Sequence, residues 1–521
     1  MTTTNGRLLW VDDEIDLLHA HILFLENRGY AVRTASSGLD AAERCRTERF
    51  DLILLDENMP GLSGLDTLQR IKDVQPDVPV VMVTKNEAED LMDQAIGSKI
   101  ADYLIKPVKP SQILLTLKKN IHRREIVSEA AQTGYRQDFM QIGMQMDDSL
   151  DWAGWTDLYR RIVRWELELS ETESPMAELL QTQKDEADRM FARYVRRNYE
   201  NWLGTADAPP MSPDVVRCEV LPRLDRGRQV YLLVFDNFRY DQWRALAPDL
   251  SPLFDIDEEI YCSILPTSTQ YARNALFAGL MPADIRRLHP DLWTDEEAEE
   301  SKNQHEAELL GAQLARHRRT EPFTYRKIND TAAAAKVLDE LPQLARGRLN
   351  VFVVNFIDIL SHARTESRMV RELARDEAAY RSLTRAWLRH SPLGELLRRL
   401  SQSDCDIIVT TDHGSIRVKE PLKVVGDRNV NTNLRYKLGK NLSYPAKDVF
   451  EMKRPERFGL PAPNLSTTYI CATGSRFFAY PNNYNHYVGH YRDTFQHGGV
   501  SMEEMLVPLA VLRPRKRPES N

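Results

Sequence analysis

Between residues 7 and 120, short apolar, β-branched runs alternate with amphipathic segments, the pattern of buried strands separated by helices. The runs fall at 7–11, 31–34, 51–55, 78–83 and 101–105. Units of this size predict a doubly wound parallel sheet with its functional groups at the carboxyl ends of the strands. From about 121 to 203 the pattern changes to long, charged, glycine-poor stretches, which predict about three helices packed as a bundle. Pro209 and Pro210 then break the helical period and mark a boundary. Beyond residue 213 the strand-helix alternation returns, with apolar runs at 230–235, 260–265, 350–356 and 407–409. The predicted order is a small α/β domain at 1–120, an all-helical connector at 121–208 and a larger α/β domain at 209–521.

Composition narrows the class. Of 521 residues, 42% are apolar and 28% charged, as in ordinary globular proteins. A formal charge of -8 argues against a dedicated duplex-DNA binder, which would carry a basic surplus. No apolar stretch approaches the roughly 18 residues that span a bilayer, and the first residues hold no basic-then-apolar leader. No membrane insertion and a cytoplasmic location are therefore expected. The five cysteines are scattered without a CxxC pair and read as small buried apolar side chains. Arg160, Arg161, Arg164, Arg193, Arg196 and Arg197 read as solvated faces of connector helices.

The ends of the first strands carry a reaction. Asp12 and Asp13 follow the first run, Asp56 the third, Thr84 the fourth and Lys106 the fifth. Three converging carboxylates repel one another unless a hard divalent cation and an ammonium hold them, which suits Mg2+ and Lys106. A carboxylate so held can attack a phosphoryl donor and become an acyl phosphate. The segments V-D-D, D-E-N-M-P-G-L-S-G-L and Y-L-I-K-P resemble the receiver domain of two-component response regulators. The resemblance implies Asp56 as phosphoacceptor, with Mg2+ on Asp12, Asp13, Asp56 and the Asn58 carbonyl. It also implies Thr84 and Lys106 on the phosphoryl group and Tyr103 as the switch aromatic. A sensor histidine kinase is the implied partner, and phosphorylation is expected to form a homodimer through a face at about 87–120. Lys85 departs from the family, where a small residue is usual.

In the third segment, polar residues again follow apolar runs. Asp236 and Asn237 follow 230–235, where an acidic residue also serves as an ordinary helix N-cap. Pro266, Thr267, Ser268 and Thr269 stand ahead of a predicted helix, where a hydroxyl either caps the helix or receives phosphorus. Asp358 and His362, four apart, can face one metal from a helical turn. Asp412 and His413 follow 407–409, and His497 precedes the last apolar segment. Mixed nitrogen and oxygen donors of this kind match two borderline cations, an arrangement suited to in-line phosphoryl displacement.

The motifs VFDNFR, PTSTQYAR, NFIDILSH, TTDHG and HGG-S-EE resemble the PglZ branch of the alkaline phosphatase superfamily. With the first two segments, the whole chain resembles PorX-type response regulators. This resemblance implies one zinc ion on Asp358, His362 and His497, and a second on Asp236, Asp412 and His413 together with the Thr269 hydroxyl. Thr269 is the preferred nucleophile, with Thr267 and Ser268 as competitors, because the family's hydroxyl sits immediately before the helix. Asn237 and the amides after Thr269 are expected to hold the non-bridging oxygens.

An insertion at 415–496 is expected to overhang the metals. Its part from 415 to 457 holds eleven Lys or Arg against five acids, and tyrosines follow at Tyr480, Tyr484, Tyr487 and Tyr491. A basic wall with interleaved rings suits a short single-stranded or cyclic oligonucleotide; the plain alternative is a solvated loop with core aromatics. The expected function is a response regulator whose two-zinc domain hydrolyses phosphodiesters. The resemblance adds a role in type IX secretion and contact with a sigma factor or secretion-system component. The alternative is a non-catalytic regulator whose third domain binds a nucleotide or protein. The complete ligand set favours the enzyme, while spacing alone does not separate a monoesterase from a diesterase.

Overall fold

The computed structural model describes residues 5–76, 78–84, 100–121, 123–170, 175–205, 208–296, 298, 301–366, 370, 374, 376–426, 431, 433–464, 466–481 and 484–515. The chain forms two units, Met1–Gly134 and Tyr135–Asn521.

The first unit is a five-stranded sheet of β1 (Gly6–Val11), β2 (Tyr30–Ala35), β3 (Leu52–Asp56), β4 (Val80–Thr84) and β5 (Asp102–Ile105). The order is β2-β1-β3-β4-β5, all parallel. Period-two alternation sends Leu9, Val11, Ile53 and Leu55 to a core on one face and Leu8, Trp10, Leu52 and Leu54 to a core on the other. Burial on both faces is why these strands are continuous apolar runs. The sheet's carboxyl edge therefore collects Asp12, Asp56, Thr84 and Lys106.

The second unit holds a six-stranded sheet. Its strands are β6 (Gln229–Phe235), β7 (Phe254–Cys262), β8 (Phe323–Ile328), β9 (Leu349–Val354), β10 (Cys405–Thr411) and, beyond the insertion, β18 (Leu506–Pro514). The order is β7-β18-β10-β6-β9-β8. Strands β10, β6, β9 and β8 run parallel, β18 lies antiparallel to β10, and the edge strand β7 lies antiparallel to β18. The insertion carries β11 (Ile416–Arg417), β12 (Glu420–Lys423), β13 (Tyr436–Gly439), β14 (Val449–Met452), β15 (Thr468–Ala472), β16 (Arg476–Ala479) and β17 (Phe495–Gln496). These pair as β11-β17, β12-β16 and β13-β15-β14.

One expected element differs. Of the apolar run at 260–265, only Ile260 to Cys262 is strand, the buried end of β7, which begins at Phe254 and pairs antiparallel with β18 along its length. Asp255, Asp257, Glu258 and Glu259 interrupt the hydrophobic signal because β7 is an edge strand, with Asp255 and Asp257 facing Arg515 and Arg513 of the C-terminal segment.

The connector is helical as expected, with helices Arg123–Gln145, Trp152–Ser170 and Pro175–Trp202. Its last two helices belong to the second unit and do not stand apart from the α/β sheet. Tyr159 packs on Tyr240, and Tyr199 stacks on Phe458. Of the connector arginines, Arg164, Arg193, Arg196 and Arg197 are exposed, while the half-buried Arg160 and Arg161 pair with Glu259 and Asp138.

Candidate functional site

In the first unit, Asp12, Asp13 and Asp56 each offer a carboxylate oxygen within 4.8 Å of the others. The Lys106 ammonium lies 2.8 Å from Asp12 and 3.1 Å from Asp56. Burial raises the Asp56 carboxyl above its ordinary value, opposed by Lys106 and reinforced by the neighbouring acids. Lys106 is in turn lifted by its two carboxylate partners, which outweigh the cost of burial. This electrostatic set fits a divalent cation beside Asp56, as the donor types require. Gly64 lies over the Asp56 carbonyl, where an added Cβ would come within 2.5 Å of that oxygen. Thr84 ends β4, and its carbonyl accepts the Lys106 amide at 2.7 Å. Asn58 is exposed in the loop after β3. Tyr103 is in β5, opposite Met82. Lys85 and positions 87–99 of the expected dimer face lie outside the described residues.

In the second unit, two triads converge. Asp358, His362 and His497 bring their ligand atoms within 4.8 Å of one another, and so do Asp236, Asp412 and His413. Asp236 leaves the end of β6, Asp412 and His413 the end of β10, and Asp358 and His362 the helix Phe356–Glu366 that follows β9. These three strands are neighbours in the sheet, so residues far apart in sequence meet at one edge. His497 follows β17, which the insertion carries back to the site.

The donor atoms are oriented by backbone. His413 Nδ1 lies 3.0 Å from the Gly414 carbonyl and His497 Nδ1 lies 3.3 Å from the Thr267 carbonyl. An acceptor at Nδ1 places the proton there and leaves each Nε2 as a lone-pair donor toward the carboxylates. His413 Nε2 is 3.7 Å from Asp412 and 3.8 Å from Asp236, while His497 Nε2 is 3.8 Å from Asp358. Burial keeps both rings neutral: His413 is lowered, and His497 falls to about 4 under burial and the neighbouring His413. Burial and the charge of Asp236 push Asp412 well above the carboxylate range. Asp236 is pulled below it by Arg273 and His413 against its own burial. Asp412 Oδ2 is buried without a hydrogen-bond partner among the described residues. Neutral imidazoles and a crowded, under-satisfied carboxylate pair are the donor set that a borderline dication completes.

Thr269 opens the helix Thr269–Ala278, and its hydroxyl is 3.3 Å from Asp236 and 3.2 Å from His413 Nε2. Thr267 faces elsewhere: its hydroxyl donates to the Gly499 carbonyl at 2.8 Å and accepts the Gly498 amide at 3.1 Å. Ser268 is the N-cap residue of the same helix. Asn237 has a positive φ of 63°, which asparagine tolerates better than most residues. Its amide N–H donates to Asp412 at 3.2 Å and its side chain to Asp358 at 3.3 Å, so it ties the two triads together.

Some residues were not singled out in sequence. Arg273, one turn after Thr269, donates to Asp236 at 2.7 Å and to Glu306 at 2.6 Å, all buried. Asn303 donates to the Thr269 carbonyl at 2.9 Å. Arg273 lay inside a quoted motif at helical spacing from Thr269, which is a usable signal; Glu306 and Asn303 carry none.

The insertion departs from the expected basic wall. Arg435 is buried against Glu504, and Lys437 is buried with its ammonium on the Asn431 carbonyl and 4.8 Å from the centre of the Tyr480 ring. Both serve the interior: Arg435 meets Glu504 beyond the insertion, and Lys437 lies near Glu296. Lys423, Lys440, Lys447 and Arg454 remain exposed, with Lys423 over Tyr484.

Comparison with known proteins finds three family models along the chain. A response regulator receiver domain model matches residues 8–118, a PorX response regulator linker domain model residues 125–203, and a BREX system PglZ alkaline phosphatase-like domain model residues 215–512. The alginate biosynthesis transcriptional regulatory protein AlgB of Pseudomonas syringae pv. tomato is 38% identical over 125 residues, 24% of this chain and 28% of that protein. The transcriptional regulatory protein ZraR of Escherichia coli K12 is 37% identical over 132 residues, 25% of this chain and 30% of that protein. The chain thus spans about a third or less of these curated relatives. Among solved structures, the chemotaxis protein CheY4 of Vibrio cholerae is 27% identical, covering 22% of this chain and 98% of its own at a TM-score of 0.21. A receiver domain from Clostridium thermocellum is 29% identical, covering 23% and 98% at 0.22. Among the described residues, no helix is long and apolar enough to cross a membrane.

Proposed function

Because this chain belongs to the PglZ alkaline phosphatase-like family, in the PorX-type order of receiver, linker and PglZ domain, we propose that it is a response regulator whose C-terminal site hydrolyses phosphodiesters. The observation that carries the reading is the Thr269 hydroxyl, held 3.3 Å from Asp236 and 3.2 Å from His413 beside two converging ligand triads. A pure binding module has no use for a hydroxyl so placed.

Asp358, His362 and His497 would hold one zinc ion, and Asp236, Asp412, His413 and Thr269 the other. Bound there, zinc would lower the pKa of a ligated hydroxyl and offset charge on phosphoryl oxygens. Thr269 Oγ1 attacks phosphorus in line; the bond to the leaving alkoxide breaks as the Oγ1–P bond forms, and the hydroxyl proton departs with the leaving group as an alcohol. A water molecule then cleaves the phosphothreonine and returns the hydroxyl. The amides that open the helix Thr269–Ala278, with the Asn237 side chain as a further candidate, would hold the non-bridging oxygens. Arg273 keeps Asp236 ionised and aimed.

The substrate class is a short linear or cyclic oligonucleotide, for which the exposed Lys423, Lys440, Lys447 and Arg454 supply phosphate contacts and Tyr484 a stacking face. Phosphorylation of Asp56 by a sensor histidine kinase, with Mg2+ on Asp12, Asp13 and Asp56, shifts the population toward a dimer and so governs output to type IX secretion and a sigma-factor or secretion-system partner. The test is hydrolysis of bis(p-nitrophenyl) phosphate and of short oligoribonucleotides by the zinc-loaded chain. Turnover that persists in metal-replete Thr269→Val refutes the nucleophile, and a wild-type chain inert on every diester refutes the hydrolase.

A further inference from the structure

Within the second unit, one face of the linker helix Pro175–Trp202 reaches both loops that deliver Thr269 and His497. Lys184, Asp188 and Tyr199 share that face, since their spacing is close to whole helical turns. They are 2%, 3% and 0% exposed. The Tyr199 oxygen accepts the Leu265 amide at 2.8 Å, just ahead of the segment that ends in Thr269. Asp188 accepts the Met502 amide at 2.8 Å. The Lys184 ammonium joins Glu166 at 2.6 Å to Glu503 at 2.8 Å.

The segment around Met502 is locked to the ligand loops. The Gly499 amide donates to the Glu504 side chain at 2.8 Å, and the Gly414 amide donates to the Glu504 carbonyl at 3.1 Å. A Cβ on Gly414 would lie 1.9 Å from the Glu503 carbonyl, so the two strands of chain touch beside His413. Thr267 binds both Gly498 and Gly499, next to His497. Any displacement at Met502 is therefore felt at both histidines.

Burying these charges is costly, and apolar side chains would hold the helix in place at less cost. Burial, with Glu503 alongside, pushes the Asp188 carboxyl well above its usual range. Glu503 Oε2 is buried without a hydrogen-bond partner among the described residues, and the Glu503 side chain faces the Asp188 carboxyl. What such a network adds over an apolar contact is a single register between helix and loop.

We propose that Lys184, Asp188 and Tyr199 are positioning residues of the phosphoryl-transfer site, fixing the register of loops 265–268 and 498–505 so that the linker helix is part of the catalytic scaffold. This rests on the hydrolase reading above and gives the linker a defined task within it.

The test uses the full, zinc-loaded chain and compares Asp188→Ala, Asp188→Asn and Tyr199→Phe by amide hydrogen exchange and by kcat and KM on bis(p-nitrophenyl) phosphate. Asp188→Ala speeds exchange in 498–505 and lowers kcat by about tenfold or more with little change in KM, since the loss is one of alignment. Asp188→Asn, which keeps the oxygen facing Met502 and supplies a donor to Glu503, restores both. Tyr199→Phe speeds exchange at Leu265 and lowers kcat in the same way. Exchange in 498–505 and kcat both unchanged in Asp188→Ala overturn the proposal. Should that variant fail to fold, unchanged exchange at Leu265 in Tyr199→Phe overturns it. If the wild type turns over no diester, the hydrolase reading fails alone, and exchange still decides whether the helix fixes these loops.

Discussion

The rings of His413 and His497 lie stacked, 4.3 Å between centroids and 18° between planes. One belongs to each triad, so the stack makes the two proposed cation sites immediate neighbours. Neither ring is free to turn, because each Nδ1 faces a backbone carbonyl. A chelator such as dipicolinate is expected to abolish diester hydrolysis, and added zinc to restore it. Asp358→Asn should lose about one zinc per chain while Asp236 and its partners keep theirs, as read by elemental analysis of the dialysed protein. Unaltered metal content in Asp358→Asn would remove that residue from the ligand set.

Thr267 and Thr269 separate structure from chemistry. Thr267 satisfies the amide of Gly498 and the carbonyl of Gly499, so Thr267→Val leaves a buried N–H unpaired and costs about 1–3 kcal/mol of stability. Thr269 makes its contacts to the carboxylate and imidazole of the site. Thr269→Val should melt close to wild type yet lose turnover by about 10³-fold or more. Melting curves and initial rates on the two variants check the pair. The reverse pattern would transfer the nucleophile role to Thr267.

The sheet was legible because its central strands are buried on both faces and so read as unbroken apolar runs, with the acidic and imidazole residues of the triads placed close after them. Strand β7 was only half visible: it is an edge strand and spends its outer positions on Asp255, Asp257 and Glu259, while Glu258 turns inward to Tyr240 and Trp243. The insertion's strands, as short as Ile416–Arg417, carry too little local pattern to be seen before their long-range pairing exists. Charged residues misled in one direction. Arg435 and Lys437 counted toward a basic wall, yet both are buried, and Lys184, Asp188 and Glu306, which carried no signal, are buried against partners distant in sequence. No periodicity within a helix or strand announces such a pairing.

In the first unit, Lys106 holds Asp12 and Asp56 together at 2.8 and 3.1 Å. Asp56→Asn should take up no phosphoryl group from acetyl phosphate, as followed by mobility on a phosphate-affinity gel. Lys106→Met leaves the three carboxylates without their ammonium, and the more negative cluster should bind Mg2+ more tightly, by about tenfold. Calorimetric titration with Mg2+ measures this directly. Weaker binding in Lys106→Met would show that the lysine organises the carboxylates more than it competes with the cation.

Lys437 offers a pH test of a buried charge. Its ammonium faces the Asn431 carbonyl, the Tyr480 ring and the charge of Glu296; burial dominates and lowers its pKa to about 7. An unfolded chain would keep this lysine protonated up to about pH 10.4, so between those values the unfolded state binds more protons than the folded one. Its contribution to stability therefore rises as pH rises from 7 toward 10, and is lost as pH falls back through 7. Lys437→Met has no proton to release and lacks this dependence. The variant should melt above wild type at pH 7, and the gap should shrink steadily toward pH 10, where both side chains are neutral in the folded state. Taking the difference between the two proteins cancels the titration of every other lysine and tyrosine. A gap that stays constant across that range would mean that Lys437 remains charged in its pocket, with Glu296 compensating its burial in full.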